Sequence, residues 1–396
     1  MSSSSETLRP KKDGSPPKVG LVLSGGGARG AYQAGVVKAI AEIAANAGLQ
    51  KPIPILTGVS AGAVNAAYLA AMAEDFNLAA DRMTLMWSKI TADQVFRTDA
   101  LSAGRSGFRF LADATMGALY KRKLARSLLD TAPLKKFLRD SIPFDRINSN
   151  IKNGNIESLA ITAMNYSNAN SITFIQGQKD TPMWSRSRRI SQPAEITEDH
   201  VMASAAIPLF FPPVKVGDDD YGDGCLRNTA PLSPAIHLGA DRLLVISVRR
   251  PDSKAPPQKT NIEPSLARVL GVVLNALLLD AVDVDMERLS RINQTVDLVA
   301  EKHRSDLSLH KVDYLWLRPS QDIGNLAGDL FHRLPKVIKY LIGGLGSSGE
   351  ASELTSYLLF DPDFCGQLIH NGYEDGMANK QNIEDFLLGK PVIHQP

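Results

Sequence analysis

Two short apolar runs near the start of the chain are each followed by a glycine-containing turn and an alanine-rich segment with apolar residues at helical spacing. The first run covers 18–24, and the segment after its turn, 31–47, stops at Gly48. The second run is IPILTGVS, and AGAVNAAYLAAMA follows it. A strand, a tight turn and a helix, repeated twice, predict an α/β fold with a parallel sheet.

Strand-like and helix-like segments continue to the end of the chain. Short apolar segments predict four more strands, ESLAITAMNYSN, SITFIQ, ADRLLVISV and VDYLWLRP. The region 80–150 and the region after Pro319 have helical patterns, the latter with glycine interruptions. These features divide the chain into a polar, disordered tail (1–17), an α/β domain (18–320) and a helical C-terminal extension packed on it (321–396).

The most apolar segment covers 266–282 and is interrupted by Arg268, Asn275 and Asp280. A helix needs about 20 apolar residues to span a bilayer. We therefore expect this helix to be buried in the domain core rather than to cross a membrane. Lining an acyl channel and lying at a membrane interface are the alternatives.

The composition is that of an ordinary globular protein, since 44% of the 396 residues are hydrophobic and 22% are charged. The net charge of +2 gives no reason to expect a nucleic acid as partner. Two cysteines, Cys225 and Cys365, exclude a disulfide-rich scaffold and favour a reducing compartment. The N-terminal tail lacks the apolar core of a signal peptide, so we predict a cytoplasmic protein.

The segment GVSAGAVNA, at 58–66, contains the pattern G-x-S-x-G. Between a strand and a helix, this pattern forms a sharp turn called the nucleophile elbow, which presents a serine side chain. Gly58 and Gly62 flank Ser60, and the small residues that follow would let the helix lie close to the sheet. Ser60 is therefore the candidate nucleophile, and the N–H of Ala61 is a candidate donor to an oxyanion.

The turn GGGARG, at 25–30, has two interpretations. It fits the dinucleotide pattern G-x-G-x-x-G, but the second strand ends in a serine instead of the acidic residue that would hold a ribose. The alternative is an oxyanion hole, in which backbone N–H groups at a helix N-terminus stabilise negative charge on a carbonyl oxygen. We favour the oxyanion hole, whose residues would be Gly25, Gly26, Gly27, Arg29 and Gly30. The Arg29 side chain would brace the loop or meet a phosphate.

A serine nucleophile needs a base, and seven histidines are present. None follows a strand in a loop with an acid to orient it, so we expect core or surface roles for them. Asp223 lies between Gly222 and Gly224, which predicts a turn with the carboxylate at its apex, whereas Asp218–Asp220 predict a solvated hairpin tip. Burial would raise the pKa of Asp223 toward that of a useful base. The pattern predicts a Ser60–Asp223 dyad.

Taken together, these motifs resemble those of the patatin-like phospholipase family. The family's oxyanion loop, serine motif and aspartate motif stand here as GGGARG, GVSAG and DGC. MASAAIPLFFPPV and NTAPLSPAIHLGADRLLVISV resemble the family's segments before and after the aspartate, so the resemblance covers 18–248. Cys225 departs from the family pattern, which has Gly or Ala at this position, but it is small enough for the dyad to persist.

The resemblance implies a three-layer α/β/α sandwich with a mostly parallel central sheet. It also implies hydrolysis of acyl esters in phospholipids or lysophospholipids, through an acyl-enzyme on Ser60 and without a metal or other cofactor. Two alternatives stay open: a thioesterase or acyltransferase with the same dyad, and a non-catalytic lipid-binding regulator. The oligomeric state is undetermined.

A lipid substrate implies peripheral contact with a membrane. A local excess of Lys and Arg between Arg105 and Arg146 could meet anionic headgroups, since each basic residue near such a surface contributes about 1 kcal/mol. The alternative, a solvated helical face that carries the same charges, is the interpretation we favour.

Overall fold

The computed structural model of the chain describes residues 17–98, 127–251 and 263–391, except for 305 and 308. Within these residues, ten strands form one sheet. The strands are β1 (Val19–Leu23), β2 (Ile55–Val59), β3 (Ser158–Asn165), β4 (Ser171–Gly177), β5 (Ser185–Arg186), β6 (Arg189–Pro193), β7 (Val214–Val216), β8 (Asp219–Asp223), β9 (Arg242–Ile246) and β10 (Asp313–Leu317).

Helices connect the strands and form the region after β10. In the first half of the chain they are α1 (Gly30–Asn46), α2 (Ala61–Ala71), α3 (Phe76–Ser88), α4 (Ala92–Val95), α5 (Ala132–Ser141), α6 (Asp145–Lys152) and α7 (Glu198–Ser204). In the second half they are α8 (Ser233–His237), α9 (Leu266–Leu278), α10 (Asp280–Leu298), α11 (Glu301–Arg304), α12 (Ile323–Asp329), α13 (Lys336–Gly343), α14 (Ser352–Leu358), α15 (Pro362–Ala378) and α16 (Lys380–Leu387). Short 3₁₀ turns cover Gly27–Arg29, Gly224–Leu226 and Phe331–Arg333.

The sheet has the strand order β10-β9-β1-β2-β3-β4-β6-β5, and the strands from β10 to β3 are parallel. β4 lies antiparallel to β3. β8 pairs with the last residues of β3, beyond the end of β2, and β7 pairs with β8. The carboxyl ends of the parallel strands therefore meet at one edge, which we call the carboxyl edge of the sheet.

Apolar cores lie on both faces of the sheet. In β1, Leu21 and Leu23 belong to the larger core, which α1, α2 and α15 cover, and Val22 belongs to the core beneath α8 and α10. Successive side chains of a strand point to opposite faces, so a strand covered on both sides must be apolar at every position. This arrangement is the predicted three-layer α/β/α sandwich.

The C-terminal region is helical, as expected, and α15 packs closely on α1. A Cβ atom at Gly35 would lie 2.0 Å from the carbonyl oxygen of Ile369, and one at Gly372 would lie 2.2 Å from that of Tyr32. Two glycines thus allow the backbones of the helices to approach each other. The division of the chain at 320 stays a prediction.

Two sequence-based expectations fall on residues outside the described ones: the disordered tail, apart from Pro17, and the basic residues from Arg105 to Arg126. The other basic residues of that region form ion pairs with carboxylates, as expected for a solvated face. The pairs are Lys135–Asp199, Lys136–Asp140, Arg139–Glu198 and Arg146–Glu74. Among the described helices, none has the length and apolar character needed to cross a membrane.

Candidate active site

Ser60 is the residue between β2 and α2, and its backbone is strained. Its φ of 55° and ψ of −124° are rare for a residue other than glycine. A Cβ at Gly58 would lie 2.2 Å from the carbonyl oxygen of Gly62, and one at Gly62 would lie 2.2 Å from that of Leu23. Both glycines are therefore required for the sharp turn, which has the geometry of a nucleophile elbow.

The register of β3 brings Asp223 next to this turn. Val59, which precedes Ser60, is paired with Thr162, and Asp223 is paired with the next residue, Ala163. A Cβ at Gly224 would lie 2.1 Å from the carbonyl oxygen of Thr162, so a glycine is needed where β8 leaves β3. The two residues of the predicted dyad, far apart in sequence, therefore adjoin neighbouring positions of one strand.

Asp223 occupies the end of β8 and not the apex of a loop, which corrects the turn that we expected there. The reason is the pairing of β8 with β3. The residue begins a 3₁₀ turn, and its Oδ1 atom accepts a hydrogen bond of 2.9 Å from the backbone N–H of Cys225. This bond fixes the orientation of the carboxylate.

The Asp223 carboxylate is fully buried. Burial raises its pKa from 3.8 to about 6, although hydrogen bonding by the Cys225 N–H and the Ser60 side chain opposes the rise. The Oδ2 atom accepts no hydrogen bond of ordinary geometry from the described residues. The Ser60 side chain thus lies close enough to stabilise the charged carboxylate, and the Oδ2 atom is still available as an acceptor. Catalytic hydrogen bonds are often loose without substrate.

The glycine loop lies against the Ser60 turn. A Cβ at Gly25 would lie 3.1 Å from the Cβ of Ser60, and Gly27 has a φ of 58°, in the left-handed region that favours glycine. Among the described residues, no backbone acceptor binds the N–H groups of Gly26, Gly27 or Ala61. Unlike these three, the N–H groups of Arg29 and Gly30 donate within the turn itself.

The Gly25 N–H is directed toward the sulfur of Cys225. Burial raises the pKa of the Cys225 thiol well above its ordinary value, and the Gly25 backbone N–H opposes that rise. A Cβ at Gly25 would lie 2.5 Å from this sulfur. Cys225 therefore packs beneath the glycine loop as a protonated, buried side chain.

The Arg29 side chain points away from Ser60 and toward α14. Its Nε atom donates to the Ser356 hydroxyl at 2.8 Å, and its Nη2 atom donates to Glu353 at 2.5 Å. Its guanidinium also lies 4.6 Å from the ring centre of Tyr357. Of the two roles considered for this side chain, bracing the loop agrees with these contacts.

A buried amide network that the motifs did not reveal holds the glycine loop against α1, α2 and α3. Gln33 donates to the carbonyl oxygen of Ser24 at 2.8 Å, and Asn65 donates to that of Gly30 at 3.1 Å. Asn65 also donates to Gln33 and accepts from the indole N–H of Trp87. The polar residues Gln33 and Asn65, inside alanine-rich helices, are the sequence signal for this network.

Ser204 is a further residue whose role the motifs did not indicate. Its hydroxyl accepts a 2.9 Å hydrogen bond from the Ser60 N–H and donates one of 2.6 Å to the carbonyl oxygen of Thr162. It is fully buried at the end of α7. Ser204 therefore ties the strained turn to β3. Its position within MASAAIP was visible in the sequence, but its contacts depend on tertiary structure.

A narrow apolar pocket with a volume of about 40 Å³ opens beside Ser60. Apart from Gly27, Ser60 and Ala61, its lining consists of apolar side chains, among them Val64, Trp87, Leu134, Phe137, Ile207 and Phe360. A pocket of this kind favours a hydrocarbon chain over a polar group.

Histidines within the described residues lie away from this pocket. His200 caps the N-terminus of α7 through Thr197, and the His237 ring stacks on Trp184 at 4.8 Å. His394 lies outside the described residues. No histidine lines the pocket among the described residues, and the carboxylate that adjoins the Ser60 turn is that of Asp223.

The fold and this site have the features of a serine acyl hydrolase. The sequence model of the Patatin family, described as patatin-like phospholipase, matches residues 21–236. Because the match covers more than half of the chain, the protein belongs to the patatin-like phospholipase family, and it is an enzyme of the lipid hydrolase class.

Three solved structures have low similarity to the chain. VipD from Legionella pneumophila is 14% identical over 90% of this chain and 67% of its own, with a TM-score of 0.31. The type III effector ExoU is 15% identical over 90% of this chain and 54% of its own, with a TM-score of 0.33. Full-length ExoU of Pseudomonas aeruginosa, solved with SpcU, is 18% identical over 60% of this chain and 45% of its own, with a TM-score of 0.27. This chain thus spans about half of the ExoU chains. No curated protein sequence matches it.

Proposed function

We propose that the protein hydrolyses the acyl esters of phospholipids or lysophospholipids, with Ser60 as nucleophile and Asp223 as base. The observation that carries this proposal is the meeting of a strained serine and a buried carboxylate at the end of β3. The family membership supplies the lipid ester as the substrate class.

Asp223 takes the hydroxyl proton as Ser60 attacks the acyl carbonyl carbon. The carboxylate is deprotonated above its pKa of about 6, so the base is available at neutral pH. The alcohol part of the lipid then leaves with that proton, and an acyl-enzyme remains on Ser60. Asp223 next deprotonates a water molecule, whose attack releases the fatty acid and restores the serine.

Backbone N–H groups of Gly26, Gly27 and Ala61 stabilise the oxyanion. Gly27 and Ala61 line the pocket at Ser60, Gly26 precedes Gly27, and none of the three N–H groups has a backbone acceptor among the described residues. The positive end of the α2 dipole adds to this stabilisation. Of the other residues predicted for the oxyanion hole, Gly25 lets the loop approach Ser60 closely. Arg29 and Gly30 shape the loop, because their N–H groups donate within the turn.

Hydrolysis of p-nitrophenyl butyrate tests the dyad without a membrane. Ser60→Ala and Asp223→Asn should each lower kcat by about 1,000-fold or more. Asp218→Asn is the matched control, because Asp218 is an exposed aspartate in the turn before β8, and it should keep the full rate. A fluorophosphonate probe should label the wild type but not Ser60→Ala.

The pH dependence gives a second test of the base. For the wild type, kcat/KM should fall as the pH decreases through about 6, where Asp223 becomes protonated. Retention of most activity by Asp223→Asn, or loss of activity on replacing His200, would contradict the dyad.

A further inference from the structure

The side of α9 that faces away from the domain is apolar and exposed. Four residues form what we call the α9 outer face: Leu266, Val269, Val272 and Val273, with exposed fractions of 57%, 43%, 62% and 44%. The opposite side of the helix is buried through Ala267, Gly271, Leu274 and Leu278. A helix on a protein surface normally has polar residues on its outer side. A contiguous apolar patch instead marks a contact site.

The inner side of α9 is connected to the glycine loop. Asn275 donates to Glu353 at 2.9 Å and accepts a 2.6 Å hydrogen bond from the Tyr357 hydroxyl. Glu353 in turn accepts from Arg29 of the glycine loop, and the backbone of Tyr357 packs on Gly27. Two short chains of contacts therefore join α9 to the glycine loop beside Ser60, so the helix lies near the carboxyl edge of the sheet, where Ser60 also lies.

We propose that the α9 outer face docks the enzyme on a phospholipid bilayer. This inference rests on the proposed function, which makes an aggregated lipid the substrate. The helix has 13 residues, a length of about 20 Å, and is therefore too short to span a bilayer. Lying flat, it places its four apolar side chains at the boundary between headgroups and acyl chains.

The charge next to this face suits the same surface. Arg268 is exposed and, by its helical position, lies at the border between the outer and inner sides of α9. A basic side chain at that border meets the anionic phosphates when the apolar side chains enter the bilayer. Docking through α9 thus brings the Ser60 turn to the surface from which the substrate is taken.

The test combines a binding assay with two activity assays. The variant replaces three residues, Val269→Gln, Val272→Gln and Val273→Gln, which keeps the helix because glutamine is a good helix former. Leu298→Gln is the matched control. Leu298 is 88% exposed and ends α10, and the same helix bonds through Asn293 to Val312 at the amino end of β10, the opposite edge of the sheet.

Binding is measured by cosedimentation with vesicles of phosphatidylcholine that contain phosphatidylserine. The activities are hydrolysis of the same vesicles and of p-nitrophenyl butyrate in solution. The triple variant should lose about tenfold or more in vesicle affinity and vesicle hydrolysis, and keep its rate on the soluble ester within about twofold. Leu298→Gln should match the wild type in all three assays.

Unchanged vesicle binding by the triple variant would overturn the proposal, and so would an equal loss in Leu298→Gln. Parallel loss of soluble-ester hydrolysis would also overturn it, because the substitutions would then act on the site. If sedimentation showed a wild-type dimer that the triple variant loses while vesicle binding persists, the face would instead join two copies of the chain. Failure of the proposed function is seen separately, as absent hydrolysis of the soluble ester by the wild type.

Discussion

Helices α2 and α9 have similar apolar sequences but lie in different environments. Both are short, both are apolar on nearly every side, and each follows a serine. All of α2 is buried, whereas in α9 one side alone is buried. The alanines and Gly62 of α2 let the sheet and neighbouring helices approach it, whereas α9 carries large side chains on its outer side. An all-round apolar helix is therefore buried where its residues are small enough for neighbours to cover it.

The two preceding serines also behave differently. Ser265 has an extended backbone, and its side chain accepts a hydrogen bond from the N–H of Arg268, as an N-cap residue does. Ser60 has a positive φ and does not cap α2 with its side chain. One serine stabilises its helix, while the other leaves its hydroxyl available for chemistry and its helix N-terminus available for an anion.

The largest expected difference between the helices concerns their glycines. Gly62→Ala should lower the free energy of unfolding by about 3 kcal/mol, because its Cβ would meet a backbone oxygen at 2.2 Å. Gly271→Ala should change it by less than about 1 kcal/mol, since its nearest neighbour is a side-chain carbon at 3.1 Å and alanine favours the helix. Denaturant unfolding measures both free energies. Similar losses in the two variants would show that the close approach of Gly62 to the backbone of Leu23 does not determine the cost of the added methyl group.

Next in size is the effect of the buried charge at the site beside α2. The folded pKa of Asp223, about 6, lies above its ordinary value of 3.8. Asp223 therefore contributes stability that is complete below about pH 4 and is lost as the pH rises through 6. The contribution corresponds to about 3 kcal/mol.

Asparagine does not titrate, so the wild type should lose this amount relative to Asp223→Asn between pH 4 and pH 8. Urea unfolding of both proteins across that range measures it. A difference in stability that does not vary with pH would contradict the raised pKa. The same variant is expected to be inactive, which would identify the buried carboxylate as a feature kept for chemistry at the expense of stability.

Local sequence patterns predicted the parts of the fold that are contiguous in the chain. The alternation of strands and helices, the Ser60 turn and the glycine loop each depend on a few neighbouring residues. The pairing of β8 with β3 depends on residues about 60 positions apart, and no local pattern reports it, so Asp223 was expected in a loop. The favoured expectation that α9 is buried in the core was wrong for a related reason, since apolar spacing does not say which neighbours are present.

Ser204 tests how far the Ser60 turn depends on such distant contacts. Ser204→Ala removes the acceptor of the Ser60 N–H and the donor to Thr162, and should lower both kcat and stability by the equivalent of about 2 kcal/mol. KM for the soluble ester should change little, because Ser204 acts on the position of the nucleophile. Ser204→Thr keeps the hydroxyl and should restore much of kcat. If both variants lost kcat equally, packing rather than hydrogen bonding would be the cause.

The smallest expected effect is a change in stability that differs between Ser265 and Ser60, the two serines that precede these helices. Ser265→Ala should lower the free energy of unfolding by about 1 kcal/mol, because the N–H of Arg268 loses its cap. Ser60→Ala should change it by less than about 0.5 kcal/mol, because the Ser60 side chain makes no cap in α2. Activity on the soluble ester should show the reverse order, with a near-normal rate in Ser265→Ala and none in Ser60→Ala. A loss of stability in Ser60→Ala as large as that in Ser265→Ala would mean that the Ser60 hydroxyl supports the turn as well as the reaction.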